Sequence, residues 1–231
     1  MWKRTARGLT LTFHLAGINN QNFLMRDEQT GTFWQQISGR AVSGPLAGSQ
    51  LELVYSDELA FRLWRAEAKS GTVLRPVAGD AKEYAERDWD VRMQKARTVL
   101  DFPNSGLRSR ELVLGVNAFG AARAYPVERI RSAKLIEDRL GGEPILVVFG
   151  PDDKSIRVFR ARMHAGDTVP DFYRLQDQPI YMDSATGSQW GFDGCAISGK
   201  AKGTCLEPIW GIKDYWFDWR NYHPDTTIFR R

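Results

Sequence analysis

The chain has 231 residues, which is enough for one large domain or two small ones. Its content of 42% hydrophobic residues, with eight Trp, supplies the apolar material for a core and excludes wholesale disorder. The formal net charge is only +4 and no dense run of Lys and Arg occurs, so composition does not favour a nucleic-acid partner.

Residues 1–76 have the pattern of short strands separated by turns. Alternating apolar residues and β-branched or aromatic residues predict strands over 9–15, 23–26, 32–37 and 51–54. Asp27 to Gly31 reads as a hairpin-type turn, in which Gly31 is free to adopt a positive φ. Residues 56–68 are compatible with a short helix capped by Ser56 or Asp57.

Residues 77–110 are more polar and form a connector, either an irregular helix or a wrapping segment. Residues 111–231 return to strand patterns, and Pro126 starts a short helix over 127–130. The segment 156–162 alternates apolar residues with Arg, which predicts a strand with one face in water. The predicted strands of this part are 112–116, 121–125, 133–136, 145–149 and 156–162. The chain is therefore predicted to be mainly β with a few short helices.

One motif occurs twice in the chain. At an offset of 156 residues, Asp27, Thr30, Gly31 and Trp34 match Asp183, Thr186, Gly187 and Trp190. At an offset of 155 the match continues from Gly39 to Glu52 and includes Trp64, which falls on Trp219. A duplicated unit explains this self-similarity, and two copies favour related antiparallel β units about a pseudo-two-fold axis.

The duplication predicts a first unit over 1–76, the connector 77–110 and a complete second unit over 111–231, packed as one body. In the second unit residues 112–182 precede the motif, whereas the first has only residues 1–26. The first unit thus lacks its opening strands, which would leave a sheet edge and core exposed. We expect one of three explanations: the chain is truncated, a remote segment packs on the exposed edge, or a homo-oligomer covers it.

No apolar run approaches the length of a membrane span, and the first residues, Met1 to Arg4, show no secretion signal. Two interpretations of location follow. Either the protein is cytoplasmic, or the chain lacks its natural beginning and the protein is extracytoplasmic.

The chain resembles the bacterial and archaeal family catalogued as domain of unknown function 3179. The resemblance is carried by Leu112 to Val116, Ala122 to Pro126, Gly141-Gly142, Met182 to Trp190, the earlier copy Met25 to Gly48, and Trp219-Arg220 with His223 to Thr226. It covers nearly the whole chain. The family has no established activity to transfer, although many members are exported.

One segment departs from the family pattern. Where members commonly carry a Tyr-Cys-Pro-Leu-Cys-like sequence, this chain reads Phe149-Gly150-Pro151-Asp152-Asp153. A redox or metal role for that Cys pair is therefore not carried over.

Asp27 and Asp183 are candidates for a site because each opens a turn before Thr-Gly. One interpretation is an Asx-type turn, in which the carboxylate accepts hydrogen bonds from the backbone of its own turn. The other is a pair of carboxylates that perform acid–base chemistry or bind a metal, with Arg123 or Tyr125 nearby.

The recurrent Trp residues also allow two interpretations. They either form the core of each unit or provide flat surfaces for a sugar or a peptide aromatic ring. The candidate binding residues are Trp34, Trp190, Trp64 and Trp219, together with Thr30 and Thr186.

Cys195 and Cys205 are either two reduced thiols or, in an exported protein, a small disulfide. The three His, at 14, 164 and 223, lack the spacing of zinc ligands, and the glycine-rich turns lack a phosphate-loop context. We expect no metal and no cofactor.

These patterns favour a binding or structural module with an unidentified small-molecule or protein partner. The alternative is a hydrolase-like or metal-dependent enzyme with a carboxylate site in a cleft between the two repeats.

Overall fold

A computed structural model of the chain describes residues 1–19, 22–84, 86, 88–163, 168–175 and 178–230. Strands make up 37% of the chain and helices 15%, which confirms the prediction of a mainly β protein with short helices. The structure divides into two units, each assembled from separate segments. Unit 1 comprises residues 1–57, 98–126 and 209–231, and unit 2 comprises residues 58–97 and 127–208. The predicted division into 1–76, 77–110 and 111–231 describes sequence repeats and stays a prediction.

The strands are short and mostly connected by turns. In chain order they are β1 (Thr5–Ala6), β2 (Leu9–Thr10), β3 (Phe13–Asn19), β4 (Asn22–Asp27), β5 (Phe33–Gln35), β6 (Ala41–Ser43), β7 (Leu112–Ala118), β8 (Ala121–Pro126), β9 (Leu135–Leu140), β10 (Glu143–Phe149), β11 (Ile156–Arg160), β12 (Phe172–Arg174), β13 (Tyr181–Asp183), β14 (Gln189–Trp190), β15 (Ala196–Ser198), β16 (Glu207–Ile209), β17 (Gly211–Tyr215) and β18 (Thr227–Ile228). The helices are α1 (Phe61–Glu67), α2 (Trp89–Lys95), α3 (Val127–Ala133) and α4 (Trp216–Tyr222), with a 3₁₀ helix at Ala78–Glu83.

The first sheet of unit 1 has the order β3-β4-β5-β6, and every neighbouring pair is antiparallel. Its apolar residues gather around Trp34, which is fully buried with Leu11 and Leu51. The edge of the Phe13 ring packs against Trp34, with ring centroids 5.9 Å apart.

The second sheet of unit 1 has the order β17-β7-β8-β18, in which β18 runs parallel to β8. The chain leaves β17 and enters α4 directly, so that Trp216 and Trp219 pack on Val113 and Ala124. Both Trp residues are almost completely buried. A Trp ring fits against the strand because β7 has a glycine, Gly115, directly beneath Trp219.

Unit 2 contains one sheet of order β16-β11-β10-β9 and another of order β12-β13-β14-β15. The most apolar strand of the chain, β10, is buried along both faces from Pro144 to Phe149. Leu146 and Val148 join Phe159, Trp190 and the residues around them in one core.

The prediction that β11 has one face in water was wrong. Arg157 is only 7% exposed, because its guanidinium forms two hydrogen bonds with Glu67 of α1, at 2.7 and 2.9 Å, and lies over the ring of Phe192. A guanidinium can enter a core when its charge is paired and its flat face stacks on an aromatic ring. The partner lies far along the sequence, and the alternation pattern carries no information about it.

Most predicted elements correspond to observed ones. The helix expected within residues 56–68 is α1, and the helix after Pro126 is α3. Residues 51–54 form only an isolated bridge, from Leu53 to Trp2, and α4 was not predicted. Among the described residues, no helix is both long enough and apolar enough to cross a membrane.

The packing of Trp219 on Gly115 makes a prediction about stability. A Cβ added to Gly115 would lie 2.2 Å from the Trp219 ring, so Gly115→Ala should lower the free energy of unfolding by about 2–3 kcal/mol through overpacking. Gly17→Ala in β3 is the control, because its Cβ would meet no atom within 4 Å. Urea denaturation of the two variants tests this, and equal midpoints would contradict the proposed packing.

Candidate functional site

Asp27 is buried at the end of β4 and accepts hydrogen bonds within its own turn. Its Oδ1 accepts from the Thr30 backbone at 2.6 Å, and its Oδ2 accepts from the Trp34 indole at 2.8 Å. The Thr30 hydroxyl also contacts both oxygens. Burial opposes ionisation, but the hydrogen bonds from Trp34 and Thr30 outweigh it and lower the pKa of Asp27 below its usual value.

Asp183 has the same surroundings in unit 2. It accepts from the Thr186 backbone at 2.5 Å, from the Trp190 indole at 2.9 Å and from the Ser188 backbone at 3.2 Å. Burial again opposes ionisation, and hydrogen bonds led by that of Trp190 lower the pKa of Asp183. Each carboxylate is thus engaged in an Asx-type turn and held ionised. This arrangement suits a structural anchor better than a group that must exchange protons.

The other predicted binding residues are mostly internal. Trp34, Trp190 and Trp219 are buried in cores, whereas Trp64 is half-buried and its ring stacks with Phe61 at 5.5 Å. Thr30 and Thr186 are half-buried and contribute their hydroxyls to the two Asp turns. Among the predicted Trp residues, Trp64 is the one with a substantial surface to offer a ligand.

Arg123 and Tyr125 lie on β8, in the second sheet of unit 1. The Arg123 side chain donates to Thr227 Oγ1 at 3.0 Å, and Tyr125 is fully buried with its ring 5.3 Å from that of Phe229. Both residues therefore contact β18 or the residue that follows it, which is consistent with a role in holding the sheet.

Cys195 and Cys205 form a disulfide in unit 2. They face each other across an isolated β-bridge, and Arg40 and Gln50 form the matching bridge in unit 1. The disulfide thus links two residues that the backbone pairing already brings together.

No group of three or more His, Cys, Asp or Glu side chains is arranged to hold a metal ion among the described residues. His14 is exposed, and His223 packs against Trp219. His164 lies outside the described residues.

A second pair of carboxyl groups, which the sequence did not reveal, lies where β17 leads into α4. Asp214 is the fourth residue of β17, and Asp218 lies in the first turn of α4. Asp214 Oδ1 accepts from the Tyr215 backbone at 2.7 Å, and Asp218 Oδ2 accepts from the Asn22 amide at 3.2 Å. Asp214 Oδ2 and Asp218 Oδ1 are buried, and no donor among the described residues reaches them.

Both Asp residues line a pocket of about 260 Å³ in unit 1. The rest of its wall includes two indole rings, two Ile side chains and polar groups: Met1, Trp2, Asn22, Gln36, Ile37, Trp210, Ile212 and Lys213. The Trp2 indole donates to the Gln36 carbonyl at 2.7 Å, and its ring centroid lies 6.5 Å from that of Trp210. Trp2 is further fixed by Gly39, where any Cβ would collide with the ring. The Trp2 part of the apolar wall is therefore held in place before a ligand arrives.

The electrostatics of this pair are opposite to those of the turn carboxylates. Burial, and then the negative charge of Asp218, raise the pKa of Asp214 to about 8. Burial also raises the pKa of Asp218, against the hydrogen bond from Asn22. Burial, followed by the charges of Asp218 and Asp214, raises the pKa of Tyr222 to about 12. Asp214 is thus mainly protonated at neutral pH, so one group of the pair can donate a proton while the other accepts hydrogen bonds.

The only local signal for this site is the spacing of two Asp residues four positions apart within the aromatic segment 210–219. Asn22, which contacts Asp218, lies 196 residues away along the chain. The convergence of Trp2, Asn22 and α4 arises only when the strands of unit 1 assemble.

Fold and pocket together define a mainly β protein with a pair of carboxyl groups in unit 1, each of which has one buried oxygen. A family model described as "Protein of unknown function (DUF3179)" matches residues 1–226, and the chain belongs to this family. This confirms the family suggested by the sequence motifs. No curated protein and no solved structure matched the chain.

The two Asp turns predict matched effects on stability. In Asp183→Asn, an amide NH₂ in the place of Oδ2 would face the Trp190 and Ser188 donors, so we expect a loss of about 2–4 kcal/mol in unfolding free energy. Asp27→Asn should cost a similar amount because Trp34 and Thr30 make the same contacts. Chemical denaturation measures both. If either variant behaves like Asp171→Asn, which alters an exposed carboxylate, the anchoring role of that turn is wrong.

The raised pKa of Asp214 predicts a dependence of stability on pH. Between the ordinary pKa of 3.8 and about 8, the folded state holds a proton that the unfolded state has released. The free energy of unfolding should therefore fall as pH rises through this window, by up to about 1.4 kcal/mol per pH unit for one proton.

Denaturation midpoints of the native protein and Asp214→Asn, measured from pH 5 to pH 9, isolate this contribution. Burial lowers the pKa of His223, which acts in the opposite direction near pH 6 but is common to both proteins. We expect the fall in stability to be much smaller in Asp214→Asn. Parallel curves would show that Asp214 does not hold the proton.

Proposed function

We propose that this protein is a binding module and that its ligand occupies the pocket of unit 1. The observation that carries the proposal is that two residues of the pocket wall, Asp214 and Asp218, each hold a buried oxygen that lacks a donor among the described residues: Oδ2 of Asp214 and Oδ1 of Asp218. A buried polar atom without a partner costs about 1–3 kcal/mol. A ligand that forms hydrogen bonds with these atoms offsets that cost, which provides a driving force for binding.

The remaining wall supports the same proposal. Trp2 and Trp210 supply flat apolar surface, and the hydrogen bond from Trp2 to Gln36 fixes one ring in place. A preformed wall reduces the entropy that is lost when a ligand binds. A volume of about 260 Å³ suits a small molecule.

Catalysis is the second candidate function, and the same two carboxyl groups favour it over the Asp27 and Asp183 pair. A protonated Asp214 beside Asp218 has the form of an acid and a base with different pKa values. Among the described residues that line the pocket, none is a Ser, Cys or His that would act as a nucleophile or as its base. Catalysis by a Ser or Cys nucleophile would need side chains that these residues do not supply, whereas binding needs none, so we favour binding.

The proposal predicts that small fragments bind at the two indoles. A chemically diverse fragment library, containing cations, anions and neutral compounds, is screened by following the indole N–H signals of Trp2 and Trp210 in ¹H–¹⁵N spectra. We expect hits that shift both signals, with affinity reduced at least about tenfold by Asp218→Asn, because Asp218 lies in the wall of the same pocket.

Asp225→Asn, which alters an exposed carboxylate of unit 1, is the matched control and should leave the affinity unchanged. Absence of any hit at the indoles, or hits with equal affinity for Asp218→Asn, would overturn the proposal. Turnover of any compound in a broad hydrolase panel, lost in Asp214→Asn, would instead favour the enzyme.

A further inference from the structure

We propose that the ligand of the unit 1 pocket is an organic cation, with an ammonium group at Asp214 and Asp218 and a short apolar part against Trp2 and Trp210. This inference rests on the proposed function, because it names the chemical class that the binding pocket takes. It follows from three features of the pocket: its unpartnered oxygens, its aromatic wall and the groups that are already occupied.

The first feature is the need for donors rather than acceptors. Asp218 Oδ1 accepts, Asp214 Oδ2 accepts once Asp214 has lost its proton, and an ammonium group carries three donors and a positive charge. Hydrogen bonds between an ammonium and a carboxylate are about twice as strong as those between neutral groups. A neutral or anionic ligand would bring no positive charge to Asp218, which is buried.

The second feature separates an organic cation from a metal ion. Ca²⁺ takes about six to eight oxygen ligands, whereas the carboxyl groups among the described residues that line this pocket are those of Asp214 and Asp218. The Asn22 amide is already engaged, because its Nδ2 donates to Asp218 and its Oδ1 accepts from the Ile37 backbone. Indole faces attract cations that carry apolar groups, and they provide no ligand for a hydrated metal.

The third feature concerns the positive groups that already line the pocket. The Met1 amino group donates to Val54 O at 3.3 Å and to Ser56 Oγ at 3.2 Å, so its hydrogen bonds point to these atoms. Lys213 also lines the pocket, but its ammonium makes no hydrogen bond to either unpartnered Asp oxygen. Neither unpartnered oxygen is therefore hydrogen-bonded to these two amines.

Binding of a cation should release a proton. Asp214 lies near Asp218 and Tyr222 of α4, and Lys213 and Met1 line the same pocket. An ammonium beside Asp214 stabilises its carboxylate, so the carboxyl O–H bond breaks and the proton passes to the solvent. Affinity for the cation should therefore increase as pH rises from 6 to 8.

The test uses three probes of one size: n-butylammonium, 1-butanol and butyrate, with CaCl₂ as the metal probe. Binding to the full chain is measured by the Trp2 and Trp210 indole signals and by calorimetry in two buffers of different ionisation enthalpy. We expect n-butylammonium to bind at least about tenfold more tightly than 1-butanol, with proton release near pH 7 and affinity that rises several-fold from pH 6 to pH 8.

Two variants connect the effect to the carboxyl pair. Asp218→Asn should weaken n-butylammonium at least about tenfold, and Asp214→Asn should abolish proton release. Asp225→Asn removes the same charge at an exposed position of unit 1 and should change neither quantity.

The outcomes separate this inference from the proposed function. If 1-butanol, butyrate, Ca²⁺ or a neutral fragment binds at the indoles as tightly as n-butylammonium or more tightly, the cation assignment is wrong while the pocket remains a binding site. If neither n-butylammonium nor any library fragment shifts the indole signals, the proposed function fails, and this inference fails with it.

Discussion

Each unit of this protein depends on a buried carboxylate that is hydrogen-bonded to a buried indole. The hydrogen bond between Trp34 and Asp27 connects a hairpin turn to the core of unit 1. The hydrogen bond between Trp190 and Asp183 does the same in unit 2. A buried charge is tolerable only when donors surround it, so the turn, the Thr hydroxyl and the Trp orientation must form together. This requirement fixes both the hairpin register and the position of the largest core side chain.

The two segments that contain Asp27 and Asp183 also resemble each other at positions outside the Asp turns. Gly44 and Gly199 both have positive φ. A Cβ on Gly44 would collide with Thr32, and a Cβ on Gly199 would collide with Ser188. The hydroxyls of Thr32 and Ser188 each accept a hydrogen bond from a backbone N–H two residues after the Gly. Helices α1 and α4 begin and end at positions related by the same offset of 155 residues, from Phe61 to Trp216. These agreements are what a duplicated unit predicts, and common descent of the two segments stays a prediction.

The two kinds of buried Asp show how surroundings decide chemistry. Asp27 and Asp183 have several donors each, which lower the pKa of both groups and leave them ionised. Burial raises the pKa of both Asp214 and Asp218, the charge of Asp218 adds to the rise at Asp214, and the few donors near them do not offset it. The same side chain therefore serves as an anchor where the fold supplies donors and as a candidate binding group where it withholds them.

The sequence by itself determined the mainly β class, most strands, helices α1 and α3, the Asp-Thr-Gly turns and the family. These features depend on local periodicity, turn chemistry and motif spacing, which are properties of neighbouring residues. Only the tertiary structure decided the burial of Arg157, through its distant partner Glu67, and the pairing of Cys195 with Cys205. It also decided the pocket, because Trp2 and Asn22 meet Asp218 through long-range contacts that no local pattern encodes.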